Sequence, residues 1–178
     1  MEDLTKDQKV LLALIDGFTT KSGERDRWVR HEALLILIYR LIKEGLFETY
    51  DVAPALLKWK RKVRFSKISQ EGILDLGLLL SKNLVQRLEL STAFHNVIQA
   101  YRVVPEVHRV LEKNRDFQML KERVMECFKC RRCGEVMGIK ANGDEVLLLC
   151  PRCGYSEKVD FFNIGVVAYK SNPFFVET

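Results

Sequence analysis

Four cysteines late in the chain have the types and spacing that do chemistry. They stand as Cys130-Arg-Arg-Cys133-Gly and, after a gap of sixteen residues, Cys150-Pro-Arg-Cys153-Gly. Two thiols separated by two residues can be aimed at one ion by a single tight turn, and two such pairs supply the four sulfurs of a tetrahedral Zn²⁺ site. Gly134 and Gly154 follow each pair. A glycine there can take positive φ and turn backbone N–H groups toward the sulfurs, which softens the thiolate charge. The expectation is one structural Zn²⁺ held by Cys130, Cys133, Cys150 and Cys153. Two other chemistries compete. Cys127, Cys130 and Cys133 form a Cys-x-x-Cys-x-x-Cys run of the kind that opens an iron–sulfur site. Cys150-Pro-Arg-Cys153 alone could be a redox dithiol, but such motifs open a helix after a strand in a larger α/β unit. Structural zinc is the preferred reading, with Cys127 a spare thiol on the helix that enters the first knuckle.

The knuckles need a small sheet to bring them together. Asn142-Gly143-Asp144 is a hairpin turn signal, and residues 136–140 and 145–149 flank it as two short strands. This is the pattern of a zinc ribbon. Cys-x-x-Cys-Gly-x-x-Met (130–137) and Cys-Pro-x-Cys-Gly-Tyr (150–155) resemble the ribbons of archaeal and eukaryotic transcription proteins, above all the ribbon that opens the archaeal RNA-cleavage factor of RNA polymerase. The resemblance covers about thirty residues and belongs to a common module. It implies a ribbon and carries over no catalytic position. Asp144 and Glu145 sit at the hairpin tip, but the acidic pair of cleavage factors belongs to a separate ribbon, so no catalytic residue is assigned.

The chain has 178 residues, 47% of them hydrophobic and 30% charged. That is room for one medium domain or two small ones of ordinary globular composition. No apolar run approaches the ~20 residues of a membrane span, and the Met1-Glu-Asp-Leu-Thr-Lys start is not that of a signal peptide. Zinc-type thiols without a secretion signal point to a reducing interior, hence a cytoplasmic protein, nucleoid-associated if prokaryotic. The net charge of +5 is unevenly spread: residues 1–51 carry 8 basic and 10 acidic side chains, residues 52–126 carry 14 and 8. An anionic partner is therefore expected at the middle of the chain.

In order, residues 5–18 read as a helix with Thr5 as N-cap. Residues 24–43 read as a longer helix, apolar around much of its circumference and hence central to the core. Residues 69–82 read as a third helix. Residues 83–91 and 97–104 alternate apolar and polar as two strands of a hairpin. His31 is expected at a surface or boundary and His95 at the hairpin turn. Three helices followed by a two-stranded hairpin resemble a winged-helix domain over residues 1–104. In such a domain the helix before the hairpin normally enters the DNA major groove. Here that helix offers Glu71, Asp75 and Gly77 rather than donors for base edges.

The segment ahead of it is more suggestive. Residues 58–67 hold six cations, Lys58, Lys60, Arg61, Lys62, Arg64 and Lys67, interleaved with Trp59 and Phe65. A solvated edge strand or helix face is one reading. A surface that grips phosphates is the other and is preferred, assisted by Arg87 and Arg102 on the wing.

Residues 105–128 read as one linking helix with apolar positions at Val107, Val110, Phe117, Val124 and Phe128, interrupted by Asn114 and Lys121. The seam packs on the N-terminal domain or, alternatively, pairs between chains as a homodimer. The ribbon spans 129–170, with a last strand from Val159 to Tyr169, and 171–178 is a tail. The class is thus α+β: a helical, winged-helix-like domain, a linking helix and a small antiparallel sheet. That layout resembles archaeal general transcription factor E and its eukaryotic relatives. Nucleotide-binding and nucleophile signatures are absent, so no enzymatic activity is expected. The function expected is a transcription-associated protein that binds double-stranded DNA by backbone contacts. The alternative is an adaptor that binds RNA polymerase or another protein without touching DNA.

Overall fold

The computed structural model describes residues 3–19, 27–59, 62–92, 95–142 and 145–162. Helix α1 (Lys6–Thr19) starts with a reciprocal cap. Gln8 N–H donates to Thr5 Oγ1 at 3.2 Å, while Thr5 N–H donates to Gln8 Oε1 at 3.1 Å. Strand β1 (Val29–Arg30) leads into α2 (His31–Lys43), whose residues 34–39 and 41 are all buried. Strands β2 (Ala53–Trp59) and β3 (Lys62–Ile68) form a separate two-stranded hairpin. Helix α3 (Gln70–Ser81) is capped by Ser69, whose Oγ accepts from Gly72 N–H. Strands β4 (Val85–Thr92) and β5 (His95–Val103) follow, then α4 (Pro105–Glu112), α5 (Arg115–Glu126), β6 (Gly138–Asn142), β7 (Glu145–Leu149) and β8 (Ser156–Val159).

The molecule is α+β, with small antiparallel sheets ordered β1-β5-β4, β2-β3 and β6-β7-β8. The first is closed by a strand that the sequence pattern does not reveal. Residues 29–30 leave the expected 24–43 helix because Val29 pairs with Tyr101 and Arg30 with Ala100, so α2 begins only at His31. The expected 105–128 helix is two helices. Asn114 has extended backbone (ψ 107°) and its Oδ1 accepts from Phe117 N–H at 2.9 Å, so it caps a new helix instead of continuing the old one. The third ribbon strand, β8, begins before the expected Val159, and residues 163–178 lie outside the described residues.

One buried cluster joins the N-terminal elements to the ribbon, running from α1 and α2 through Phe128 to Val146, Leu148 and Phe161. Phe18 and Phe128 meet edge to face at 5.0 Å. Arg40 of α2 pairs with Glu157 of β8 at 2.9 Å, and Lys67 of β3 with Asp160 at 2.7 Å. Phe117, Val124 and Phe128 are buried within the chain. The polar positions among them also have partners inside it, since Lys121 Nζ donates to the fully buried Asp16 at 3.0 Å. Asp16 Oδ1 lies 2.7 Å from His108 Nδ1, so one carboxylate of α1 holds both α4 and α5. The next residue is Gly17, where any Cβ would overlap the Met125 side chain of α5. Among the described residues no helix is long and apolar enough to cross a membrane.

A second buried carboxylate fixes the turn after α2. Asp7 accepts from the N–H groups of Glu48 and Thr49, each at 2.9 Å, and from the Thr49 hydroxyl at 2.6 Å. Burial works to raise its pKa, and these donors more than offset it, so the carboxyl titrates below the ordinary value. A depressed folded-state pKa stabilises above the unfolded value of ~3.9 and ceases to do so as pH falls through the folded one. Asp7→Ala is expected to cost about 1–3 kcal/mol at pH 7, and the gap from the parent should shrink below about pH 4. Urea midpoints measured across that range check it; a gap independent of pH would contradict the ionic bonding.

Candidate metal centre

Cys130, Cys133, Cys150 and Cys153 come together at one end of the β6-β7-β8 sheet, their sulfurs all within 4.8 Å of one another. The Cys130–Cys153 and Cys133–Cys150 sulfurs are 3.5 and 3.4 Å apart. A tetrahedral ion with metal–sulfur bonds of ~2.3 Å spaces its sulfurs by about 3.8 Å, so the four thiols fit one metal. The two knuckles are built alike. Cys130 N–H donates to Glu135 O and Cys150 N–H to Tyr155 O, both at 2.8 Å, while Gly134 and Gly154 N–H reach back to Cys130 O and Cys150 O. Gly134 at φ +73° and Gly154 at φ +71° make those returns, a backbone shape that other residues adopt with strain. Arg132 N–H points at Cys130 Sγ from 3.4 Å.

The sheet that carries the knuckles explains their alignment. Asn142 pairs with Glu145 and Gly138 with Leu149, so β6 and β7 run antiparallel from the tip back to the second knuckle. Strand β8 returns alongside β7, pairing Leu149 with Ser156. Burial disfavours a charged Cys150, but the backbone N–H groups of Cys153 and Arg152 and the Cys133 thiol outweigh it and bring Cys150 down to about 6. The Glu135 N–H favours a Cys133 thiolate, yet burial and the three neighbouring sulfurs push Cys133 up to about 12. Cys127 is not among the four; its sulfur turns back toward Arg123 O at 3.8 Å. The set therefore suits one structural metal, compatible with a zinc ribbon.

The eight cations expected to grip nucleic acid are distributed differently. Lys58 is exposed on β2 and has no ion pair among the described residues. Trp59 pairs with Lys62 along the β2–β3 ladder. Lys60 and Arg61 lie outside the described residues. Arg64 lies over the Phe162 ring at 5.6 Å. Lys67 is tied to Asp160 and lies over the Tyr39 ring, Arg87 pairs with Glu89 at 3.1 Å, and Arg102 covers the Trp28 ring at 4.4 Å. Lys67 and Arg102 hold the fold together more visibly than they present charge. His31 is half-buried with Nδ1 3.1 Å from the Tyr101 hydroxyl.

Two groups escaped sequence reading. Arg131, Arg132 and Arg152 stand exposed on the knuckles; their signal was present in Cys-Arg-Arg-Cys and Cys-Pro-Arg-Cys but was read only for the cysteines. On α3, Leu74 and Leu78 are 70% and 46% exposed, so the helix before the β4–β5 hairpin presents an apolar face.

Most of these features fall inside a single family match over residues 7–159, which stops short of Asp160 and Phe162. The chain belongs to the Uncharacterized protein MJ1567 family. No curated protein and no solved structure matches it. The MJ1567-family match opens within α1 and closes on the last residue of β8. It therefore takes in the β2–β3 hairpin, Asp16, His108, Lys121 and all four cysteines.

Proposed function

We propose that this protein is a DNA-contacting, transcription-associated protein, built from a winged-helix-like unit and a ribbon that holds one structural Zn²⁺. The winged-helix reading is supported by the order α1-β1-α2-α3-β4-β5 with the sheet order β1-β5-β4, into which β2–β3 is inserted. The observation that carries the functional reading is the register of that insert. Trp59 pairs with Lys62, which brings the backbones of Lys58 and Lys62 to the closed end of one hairpin; Lys60 and Arg61 stand between them in sequence, and no carboxylate occurs from 52 to 70. A cluster of this kind neutralises phosphates and releases about 0.9 counterion per contact on duplex DNA.

Because the exposed face of α3 carries leucines and Glu71, with Gln70 and Ser81 its exposed side-chain donors, discrimination between sequences should be small, well under the ~10³ of a dedicated repressor. Lys60→Ala, Arg61→Ala and Lys62→Ala together should weaken all duplexes alike and flatten the salt slope by about two to three units. Fluorescence anisotropy on duplex DNA across a salt series makes the measurement. A triple variant that binds as the parent does would overturn the reading.

The exposed Leu74 and Leu78 favour a second reading, an adaptor whose α3 binds a protein such as RNA polymerase. A parent that ignores duplex DNA at low salt but binds polymerase, with that association abolished by Leu74→Asp and Leu78→Asp together, would select it. Self-pairing through 107–128 draws less support, because Phe117, Val124 and Phe128 are already buried and Val110 is the one strongly exposed apolar position of that seam.

A further inference from the structure

We propose that the two metal-held knuckles form a contact surface for single-stranded nucleic acid, with Arg131 and Arg152 on phosphates and Arg132 presenting its guanidinium plane to a base. This surface lies on different elements from the β2–β3 hairpin and does not depend on the reading given for that hairpin.

Three arginines fill the short loops between paired ligands, two in Cys130–Cys133 and one in Cys150–Cys153. Each loop is pinned at both ends by a sulfur, and the four sulfurs lie within 4.8 Å of one another. The backbone returns at Glu135 and Tyr155 tie the loops down a second time. The three guanidinium groups are thus concentrated on one small, rigid base, and all three residues are exposed. Arg131 and Arg152 have no ion pair among the described residues. Glu135 is the one carboxylate within residues 130–137 and 150–156. Four thiolates around a divalent cation carry a net charge of −2 and Glu135 adds one more, so the three arginines bring the knuckles to neutrality with their side chains on the exposed side.

Arg132 supplies the choice of nucleic acid. Its guanidinium carbon stands 5.0 Å from the centre of the Tyr155 ring, a cation–π stack that holds the planar group by one face. Arg132 is also exposed, so the group remains open to solvent beside the ring. A base can stack on a guanidinium plane only when it has left its own helix, so the fitting partner is a single strand. Arginine also matches phosphate with two parallel donors, which lysine does not. The arrangement depends on the metal because the ligand cysteines bracket all three arginines.

The test uses the full chain loaded with Zn²⁺ and a fluorescein-labelled oligothymidylate of about fifteen nucleotides, enough to cover one compact site. Anisotropy at low salt should show binding. Arg131→Ala with Arg152→Ala should weaken it about tenfold or more and lower the salt slope by about 1.4, the single-strand value for two phosphates. Arg132→Lys, which keeps the charge and loses the plane, should weaken binding several-fold with little change of slope. The hairpin triple variant should bind the oligothymidylate as the parent does. Zinc content, measured by elemental analysis, should stay at one ion per chain throughout. A parent that ignores the oligothymidylate, or a double variant that binds it equally well, overturns the proposal. So does loss of zinc from the double variant, which would assign the arginines to balancing the charge of the metal site. An Arg132→Lys variant indistinguishable from the parent removes the single-strand assignment.

Discussion

Replacing Cys150 by serine is expected to strip the metal from the protein and unfold the ribbon, while Cys127→Ser retains one ion per chain. Cys150 is 1% exposed, so serine there removes a buried ligand of a closed site. Binding free energies of structural Zn²⁺ in small finger peptides are about 10–16 kcal/mol at pH 7. That exceeds what a sheet of three short strands can supply by burying apolar surface. The damage should spread. Phe161, Glu157 and Asp160 leave with the ribbon, and Tyr39, Arg40 and Lys67 lose their partners. Cys127 points at Arg123 O and contributes no sulfur to the group of four. Elemental analysis with far-ultraviolet circular dichroism decides the matter. Iron in place of zinc, metal loss in Cys127→Ser, or a fully loaded Cys150→Ser variant would each refute the assignment.

Asp16→Ala is expected to lower stability by about 3–5 kcal/mol, the range for breaking one partner out of a buried ionic group. Asp16 is fully buried, and its partners His108 and Lys121 have side chains only 19% and 18% exposed. Removing the carboxylate leaves an ammonium in a place that water reaches poorly, and that uncompensated charge is the main cost. It follows that Lys121→Met introduced into Asp16→Ala should recover a large part of the loss. The double-mutant cycle should therefore be strongly non-additive. Urea midpoints of the four proteins measure this directly. Additive losses would show that the pair contributes nothing beyond its separate packing.

What was legible in the sequence was local. Cys-x-x-Cys-Gly written twice specifies its own turn, and the pairing of the knuckles needed only the hairpin between them. Thr5, Ser69 and the apolar periodicity behind each marked α1 and α3 almost to the residue, and the alternation of 83–91 and 97–104 foretold β4 and β5. Features set by distant partners were not legible. Strand β1 has two residues, and only Tyr101 and Ala100 make it a strand. The helix break at Asn114 was hidden because apolar spacing of three and four runs on across it, and a capping asparagine looks the same as a polar seam residue. The two residues between β2 and β3, Lys60 and Arg61, carry none of the Gly or Asn chemistry that announces a two-residue turn. Asp16 reads as an ordinary surface acid of an amphipathic helix until α4 and α5 close over it.

The place of β1 in its sheet has a consequence for how the protein is made. The strand it pairs with, β5, is central in space but last of the three in sequence, about seventy residues behind β1. As the chain leaves the ribosome, α1 and α2 emerge with their leucines and isoleucines exposed and no sheet to receive them. The partners of Asp16 at positions 108 and 121 emerge later still. Closing loops of this length is entropically slow, and it concentrates folding into a late step. Nascent chains halted before about residue 103 should therefore be held by chaperones or degraded rather than dock as a finished N-terminal module.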